Sequence, residues 1–131
     1  MKRLYNLMGQ AFNEVLRPYG VARSQWYMLN YIYHTPDLTQ KDLLEVMQVK
    51  SATLTAALNV LEEKGWIGRQ QNDTDHRVKK ISLTPAGRKL WESLPDPIIE
   101  VRAQMLIGIS AEEEQAARAI LDKAIQNLEH S

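Results

Sequence analysis

Apolar residues recur with a helical period at both ends of this chain and with a two-residue period near its middle. Leu4, Leu7, Met8, Ala11, Phe12, Val15 and Leu16 follow i, i+3, i+4 spacing, which predicts an amphipathic helix over residues 4–16. Pro18 and Gly20 end it. Ser24 is placed to cap a second helix over about 25–34, whose apolar contacts are Trp26, Leu29, Ile32 and Tyr33. Pro36 breaks that helix. Thr39 with Asp42 three residues on reads as a capping box, so a short helix follows that buries Leu43, Leu44 and Met47. Gln48-Val49-Lys50 is a brief turn. Ser51 is placed to cap the next helix, which runs to Lys64 and stops at Gly65. Its apolar face is Leu54, Ala57, Leu58 and Leu61. Its other face carries Thr53, Thr55, Ala56 and Asn59, which are small or polar and uncharged. A short helix, a tight turn and a second helix with such a face make a helix-turn-helix.

The period then changes. Strands are predicted near 66–71 and 77–83, joined by the polar turn Asn72-Asp73-Thr74-Asp75-His76. Ile81 and Leu83 fall on one face of the second strand, Lys80 and Ser82 on the other. Thr84 sits where an N-cap belongs, with Pro85 at the first helical position. Leu90, Trp91, Leu94, Ile98, Val101, Met105 and Leu106 continue a helical stripe that Pro95 and Pro97 should kink or break. Gly108 ends this segment. Ser110 and Glu113 form a capping box for a last helix with the stripe Ala117, Ile120, Leu121, Ala124 and Leu128. The pattern predicts a mainly α fold with a small β-ribbon, in the α+β class, without repeats or low-complexity tracts.

Composition narrows the class. With 131 residues the chain suits one domain with a real core. No apolar run approaches a transmembrane length, and no signal-peptide pattern opens the sequence. Cysteine is absent, which excludes disulfides and thiolate metal sites and fits a cytoplasmic protein. Net charge is zero, but it is segregated. From Lys64 to Lys89 there are seven basic residues against two acids; from Asp96 to Ser131 there are seven acids against three bases. A basic patch that coincides with a ribbon is what contact with nucleic-acid phosphates needs. A solvated ribbon without a partner is the plainer alternative.

Candidate contacts follow from residue chemistry. Ser51, Thr53, Thr55, Ala56 and Asn59 offer hydroxyls for bases or phosphates, a methyl for thymine and an amide for adenine. Lys41, Lys64, Arg69, Lys79 and Lys80 are candidate phosphate neighbours. His34, His76 and His130 lie on three different elements without ligand spacing, so no metal is expected. No nucleophile–base arrangement or phosphate-binding glycine loop is placed by the sequence. No cofactor and no enzymatic activity are expected.

The sequence resembles the MarR family of bacterial winged-helix regulators. The residues that carry the likeness are Gln25-Trp26, Leu61-Glu62-Glu63-Lys64-Gly65-Trp66-Ile67, Arg69, Asp75-x-Arg77 and Leu83-Thr84-x-x-Gly87. Close matching covers roughly residues 16–90, and the element order covers the whole chain. The resemblance implies one domain over 1–131, with a winged helix-turn-helix core at about 24–90. Dimerisation helices would flank it at about 1–20 and 91–131. It implies a homodimeric, ligand-responsive repressor on a pseudo-palindromic stretch of double-stranded DNA. It also implies that Arg77 enters the minor groove at the wing tip. Asp75, two residues away on the same side of the strand, is placed to hold that guanidinium. An effector pocket would form where the first, second and fifth helices meet, lined by Phe12, Trp26 and Asn30, for a small aromatic or phenolic ligand. Family members often carry Arg or Lys in the recognition helix, where this chain has Ala56 and Val60. A second reading is therefore a winged-helix dimer that binds another protein in place of DNA.

Overall fold

The structure is a computed structural model that describes residues 2–71 and 78–131. The chain forms two compact units, Met1–Pro95 and Asp96–Ser131. The first holds helices α1 (Lys2–Leu16), α2 (Arg23–His34), α3 (Gln40–Met47) and α4 (Ser51–Glu63), strands β1 (Ile67–Gln71) and β2 (Lys79–Leu83), and helix α5 (Pro85–Ser93). The second holds α6 (Pro97–Met105) and α7 (Ala111–Glu129).

Several helix ends differ from the sequence expectation, for local reasons. α2 starts at Arg23 because the Gln25 carboxamide oxygen accepts the Ala22 N–H at 2.9 Å. Ser24 therefore lies inside the helix, exposed, and caps nothing. Ser51 is likewise the first residue of α4 and not its cap; the flanking position is Lys50, whose side chain makes no capping bond. The Thr39–Asp42 box forms as expected: Thr39 Oγ1 accepts the Asp42 N–H at 3.0 Å, and Asp42 Oδ2 accepts the Thr39 N–H at 3.1 Å. The Thr39 backbone N–H, and after it the Thr39 side chain, hold the Asp42 carboxyl below its ordinary range. Gln48 ends α3 in the left-handed region at φ 54°. Gly65 ends α4 at φ 76°, and the Trp66 N–H then reaches back to the Leu61 carbonyl at 3.1 Å.

The core of the first unit gathers one face from each helix. Leu16, Trp26, Met28, Leu29, Leu43, Leu54, Leu58 and Leu61 are buried, as are Ile67 and Ile81 from the strands. Leu44 and Met47 are only half-buried, so α3 turns a narrower face inward than expected. The strands are antiparallel, with Ile67 opposite Leu83 and Arg69 opposite Ile81. The Ile81 N–H also donates to the Leu38 carbonyl at 2.8 Å, which ties the ribbon to the chain just before α3. At the far end of β2, Thr84 Oγ1 accepts the Gly87 N–H at 3.0 Å and donates to the Gly65 carbonyl at 2.5 Å. The Thr84 N–H donates to the Trp66 carbonyl at 3.0 Å. Thr84 therefore caps α5 and also fastens it to the end of α4.

Pro95 and Pro97 break the helical stripe outright. α5 stops at Ser93, and α6 restarts at Pro97 under the Asp96 carboxylate, which accepts from the Ile98 and Ile99 N–H groups at 2.9 and 3.3 Å. In the second unit, Ser110 and Glu113 form the expected capping box on α7. Glu114 pairs with Arg102 from α6 and with Arg118 one turn along α7. The Arg102 hydrogen bond is the main reason its carboxyl titrates below the usual range. No residue of α7 is buried, and its stripe of Ile120, Leu121 and Leu128 faces outward. In α1, too, Leu4 and Leu7 are exposed although they share a stripe with buried Phe12 and Leu16.

Candidate nucleic-acid interface

The α3–turn–α4 segment presents the outer face of α4 with little in its way. Ser51, Thr53, Ala56 and Asn59 are exposed, together with Val60. None has a long charged side chain, so the α4 backbone can approach a partner closely. Thr55 differs from the expectation. It is half-buried, and its hydroxyl accepts the Gln40 Nε2–H at 3.1 Å, so it joins α4 to α3 rather than standing on the open face.

The basic residues divide into two groups. Lys41 and Lys79 are exposed and line a cleft of about 490 Å³ with Thr39, Gln40, Ser51 and Val78, where the start of α3, the start of α4 and β2 converge. Lys50, which the sequence reading passed over, is exposed at the N-terminal flank of α4. Its signal was available: it immediately precedes a helix start, where backbone N–H groups and the helix dipole already favour an anion. Three further cations of the candidate set are engaged within the protein. Lys64 Nζ donates to the Gly20 carbonyl at 3.3 Å and lies 4.6 Å from the Trp66 ring centre. Lys80 pairs with Asp37 at 3.5 Å. Arg69 is held between Glu62, at 3.1 Å from its Nε, and Asn59, whose Oδ1 accepts at 2.5 Å. Its side chain is only 16% exposed. The expectation that Lys64, Lys80 and Arg69 stand ready for phosphates therefore meets three side chains that already have protein partners. Asp75 and Arg77 lie outside the described residues.

Glu62 answers the charge of Arg69. Its carboxyl is held below the ordinary range first by the Arg69 hydrogen bond, then by the guanidinium charge, with Lys79 adding to the effect. Glu62 was legible in the sequence only as part of a helix end. Its partner comes from a strand seven residues on, and no helical or strand period announces that contact.

The expected effector-pocket residues are placed unequally. Phe12 and Trp26 are both buried and pack edge to face at 5.4 Å, so each serves as core. Trp26 also meets Tyr27 and Trp91 at 5.3 and 5.5 Å. Asn30 is half-buried, and its carbonyl accepts a hydrogen bond from His34 Nδ1 at 2.9 Å. Among the described residues no group of three metal-ligating side chains comes together. No helix among them is long and apolar enough to cross a membrane.

A tight helix–turn–helix followed by a two-stranded ribbon, with the ribbon laid against both helices, defines a winged helix-turn-helix protein. A sequence model of the MarR family matches residues 19–78. Structural likeness extends over nearly the whole chain. MepR of S. aureus in its DNA complex is 28% identical, with a TM-score of 0.84 over 96% of this chain and 93% of that one. A mutant MarR from E. coli complexed with operator DNA is 26% identical, with a TM-score of 0.80 over 94% and 91%. A putative MarR-like transcription regulator from Bacillus cereus ATCC 10987 shares the fold at a TM-score of 0.86 over 97% and 91%, at 16% identity. The chain is thus similar to the MarR family of winged helix-turn-helix regulators, in sequence over residues 19–78 and in fold over nearly its whole length.

Proposed function

We propose that this protein regulates transcription by binding double-stranded DNA, with α4 in the major groove and the β1–β2 ribbon alongside. The observation that carries the reading is the face of α4. Ser51, Thr53, Ala56 and Asn59 are exposed and short, and Lys41, Lys50 and Lys79 stand exposed around the start of that helix. Short side chains let a helix sink toward base edges, while cations at its margin meet the phosphates. The likeness to MepR and to the E. coli MarR mutant, each in complex with DNA, supports DNA binding.

The finer reading is a cytoplasmic homodimeric repressor. Its exposed α1 and α7 stripes would meet a second copy, and it would bind a pseudo-palindromic site with half-sites about one helical turn apart. A small aromatic effector that modulates it belongs to the same reading, with Phe12, Trp26 and Asn30 as its candidate contacts. Asp75 and Arg77 are the candidate wing contacts. Arg77→Ala tests this directly. Each dimer loses two minor-groove contacts, so affinity for its own upstream DNA at fixed salt should fall at least tenfold while circular dichroism stays unchanged. Unaltered affinity in a folded mutant removes Arg77 from the interface.

One feature favours a second reading, a winged-helix dimer that docks on a protein. Val60 and Val49, near the same face, are 42% and 38% exposed and apolar. Such a partner would bind with little dependence on salt, whereas phosphate contact depends on it steeply.

A further inference from the structure

We propose that Glu62, acting through Arg69, fixes the Asn59 amide so that it faces DNA as a hydrogen-bond donor, selecting an acceptor edge such as guanine over adenine. This rests on the DNA-binding reading and deepens it.

Arginine has only donors. The Asn59 atom that meets Arg69 at 2.5 Å must therefore be Oδ1, which leaves the NH2 group as the end turned away from the guanidinium. The guanidinium cannot swing aside cheaply. Its Nε and one terminal nitrogen reach the two Glu62 oxygens at 3.1 and 3.4 Å, and its side chain is mostly buried. Asn59 and Glu62 lie three residues apart on one face of α4, so a single side chain from β1 spans both. A planar fork is suited to this; a lysine ammonium is not.

The consequence is a change of reading code. Asparagine recognises adenine with both ends of its amide: Oδ1 accepts from N6 while Nδ2 donates to N7. With one Oδ1 lone pair held by Arg69, the amide is turned so that its NH2 end is the one offered, which disfavours that two-point match. Major-groove acceptors are guanine O6 and N7, thymine O4 and adenine N7, but adenine sets its N7 beside the N6 donor, which an NH2 group cannot answer, whereas guanine sets two acceptors side by side. Arg69 is thus a positioning residue, and with Glu62 neutralising it, a weak phosphate ligand.

Arg69→Lys separates the two roles. Lysine keeps the charge that a phosphate contact needs but cannot bridge Glu62 and Asn59. Wild type and mutant would each be selected against a pool of random 30-base-pair duplexes and the bound fraction sequenced. The expected result is that base discrimination at one position per half-site falls by about tenfold in the mutant, or shifts toward adenine, with the salt slope unchanged. Arg69→Gln should give the same altered profile. An unchanged base profile in Arg69→Lys, with affinity lost uniformly in Arg69→Gln, would assign Arg69 to phosphate contact and overturn the proposal. In the DNA-free protein, nitrogen-edited NMR should show a slowly exchanging Arg69 Nε–H that is lost in Glu62→Ala. A fast-exchanging wild-type signal overturns the bracket itself. A persistent signal in a wild type that enriches no duplex leaves the bracket in place and overturns its role in DNA reading.

Discussion

Gly87→Val should fail to fold stably, and even Gly87→Ala should lose about 3 kcal/mol, at the upper end of overpacking costs. A Cβ built on Gly87 falls 1.9 Å from the Trp66 carbonyl oxygen and 2.8 Å from its carbon. The obstacle is backbone, so no rotamer change relieves it. Nor is that carbonyl free to move, since it accepts the Thr84 N–H, while Thr84 itself holds the Gly65 carbonyl and the start of α5. Any retreat of α5 breaks the bond that caps it. A loss of this size corresponds to a melting temperature lower by roughly 10–15 °C for a chain of this length. Differential scanning calorimetry of the alanine variant reads it. A melting point within about 2 °C of wild type would mean that α5 slides away at little cost, contrary to the usual penalty for a backbone clash.

Leu121→Glu combined with Leu128→Glu should leave the protein folded and monomeric. The two residues are seven apart and share a stripe on α7. They are 45% and 79% exposed, so their replacement disturbs little within one chain. Leu4, Leu7, Ile120 and Ile125 are exposed as well, more apolar side chain than a small monomer usually leaves in water. In a dimer that covers the α7 stripe, two unpaired carboxylates per subunit would be buried, at roughly 3–5 kcal/mol for each such charge. Sedimentation equilibrium at micromolar concentration should find a dimer for wild type and a monomer for the double variant. DNA affinity should drop with it by about a hundredfold, because linking two half-site contacts multiplies affinity by roughly 10²–10⁴. A wild-type monomer, or a variant that still dimerises, contradicts the assembly proposed for these helices.

What was legible in the sequence was local. The capping boxes at Thr39 and Ser110, the Gly65 stop, the Thr84 cap and the ribbon all form where pattern placed them. Each depends on residues within a few positions of one another. The misreadings were competitions that pattern does not rank. Gln25 outbids Ser24 for the start of α2, and Lys50 rather than Ser51 flanks the start of α4. The surface proposed to face DNA was legible as a set of residue types but not as a set of available groups. Lys64, Arg69 and Lys80 read as open cations, yet each finds a partner from a distant element: Gly20, Glu62 with Asn59, and Asp37. Thr55 is withdrawn in the same way by Gln40. Conversely, the Leu83-Thr84-x-x-Gly87 sequence, read as a family mark, proves to be structural, because Gly87 must pass over the Trp66 carbonyl.

The most direct test is the salt dependence of binding to the protein's own upstream DNA, measured by fluorescence anisotropy from low to physiological salt. Arg69, Lys64 and Lys80 each have a protein partner, whereas Lys41, Lys50 and Lys79 are exposed around the start of α4, which gives about three phosphate contacts per subunit besides Arg77 in the minor groove. A dimer then neutralises about six, and log K should fall against log salt with a slope of roughly −5. A slope near zero, or no retention of that DNA even at low salt, would contradict DNA binding and turn the exposed Val49 and Val60 face toward a protein partner.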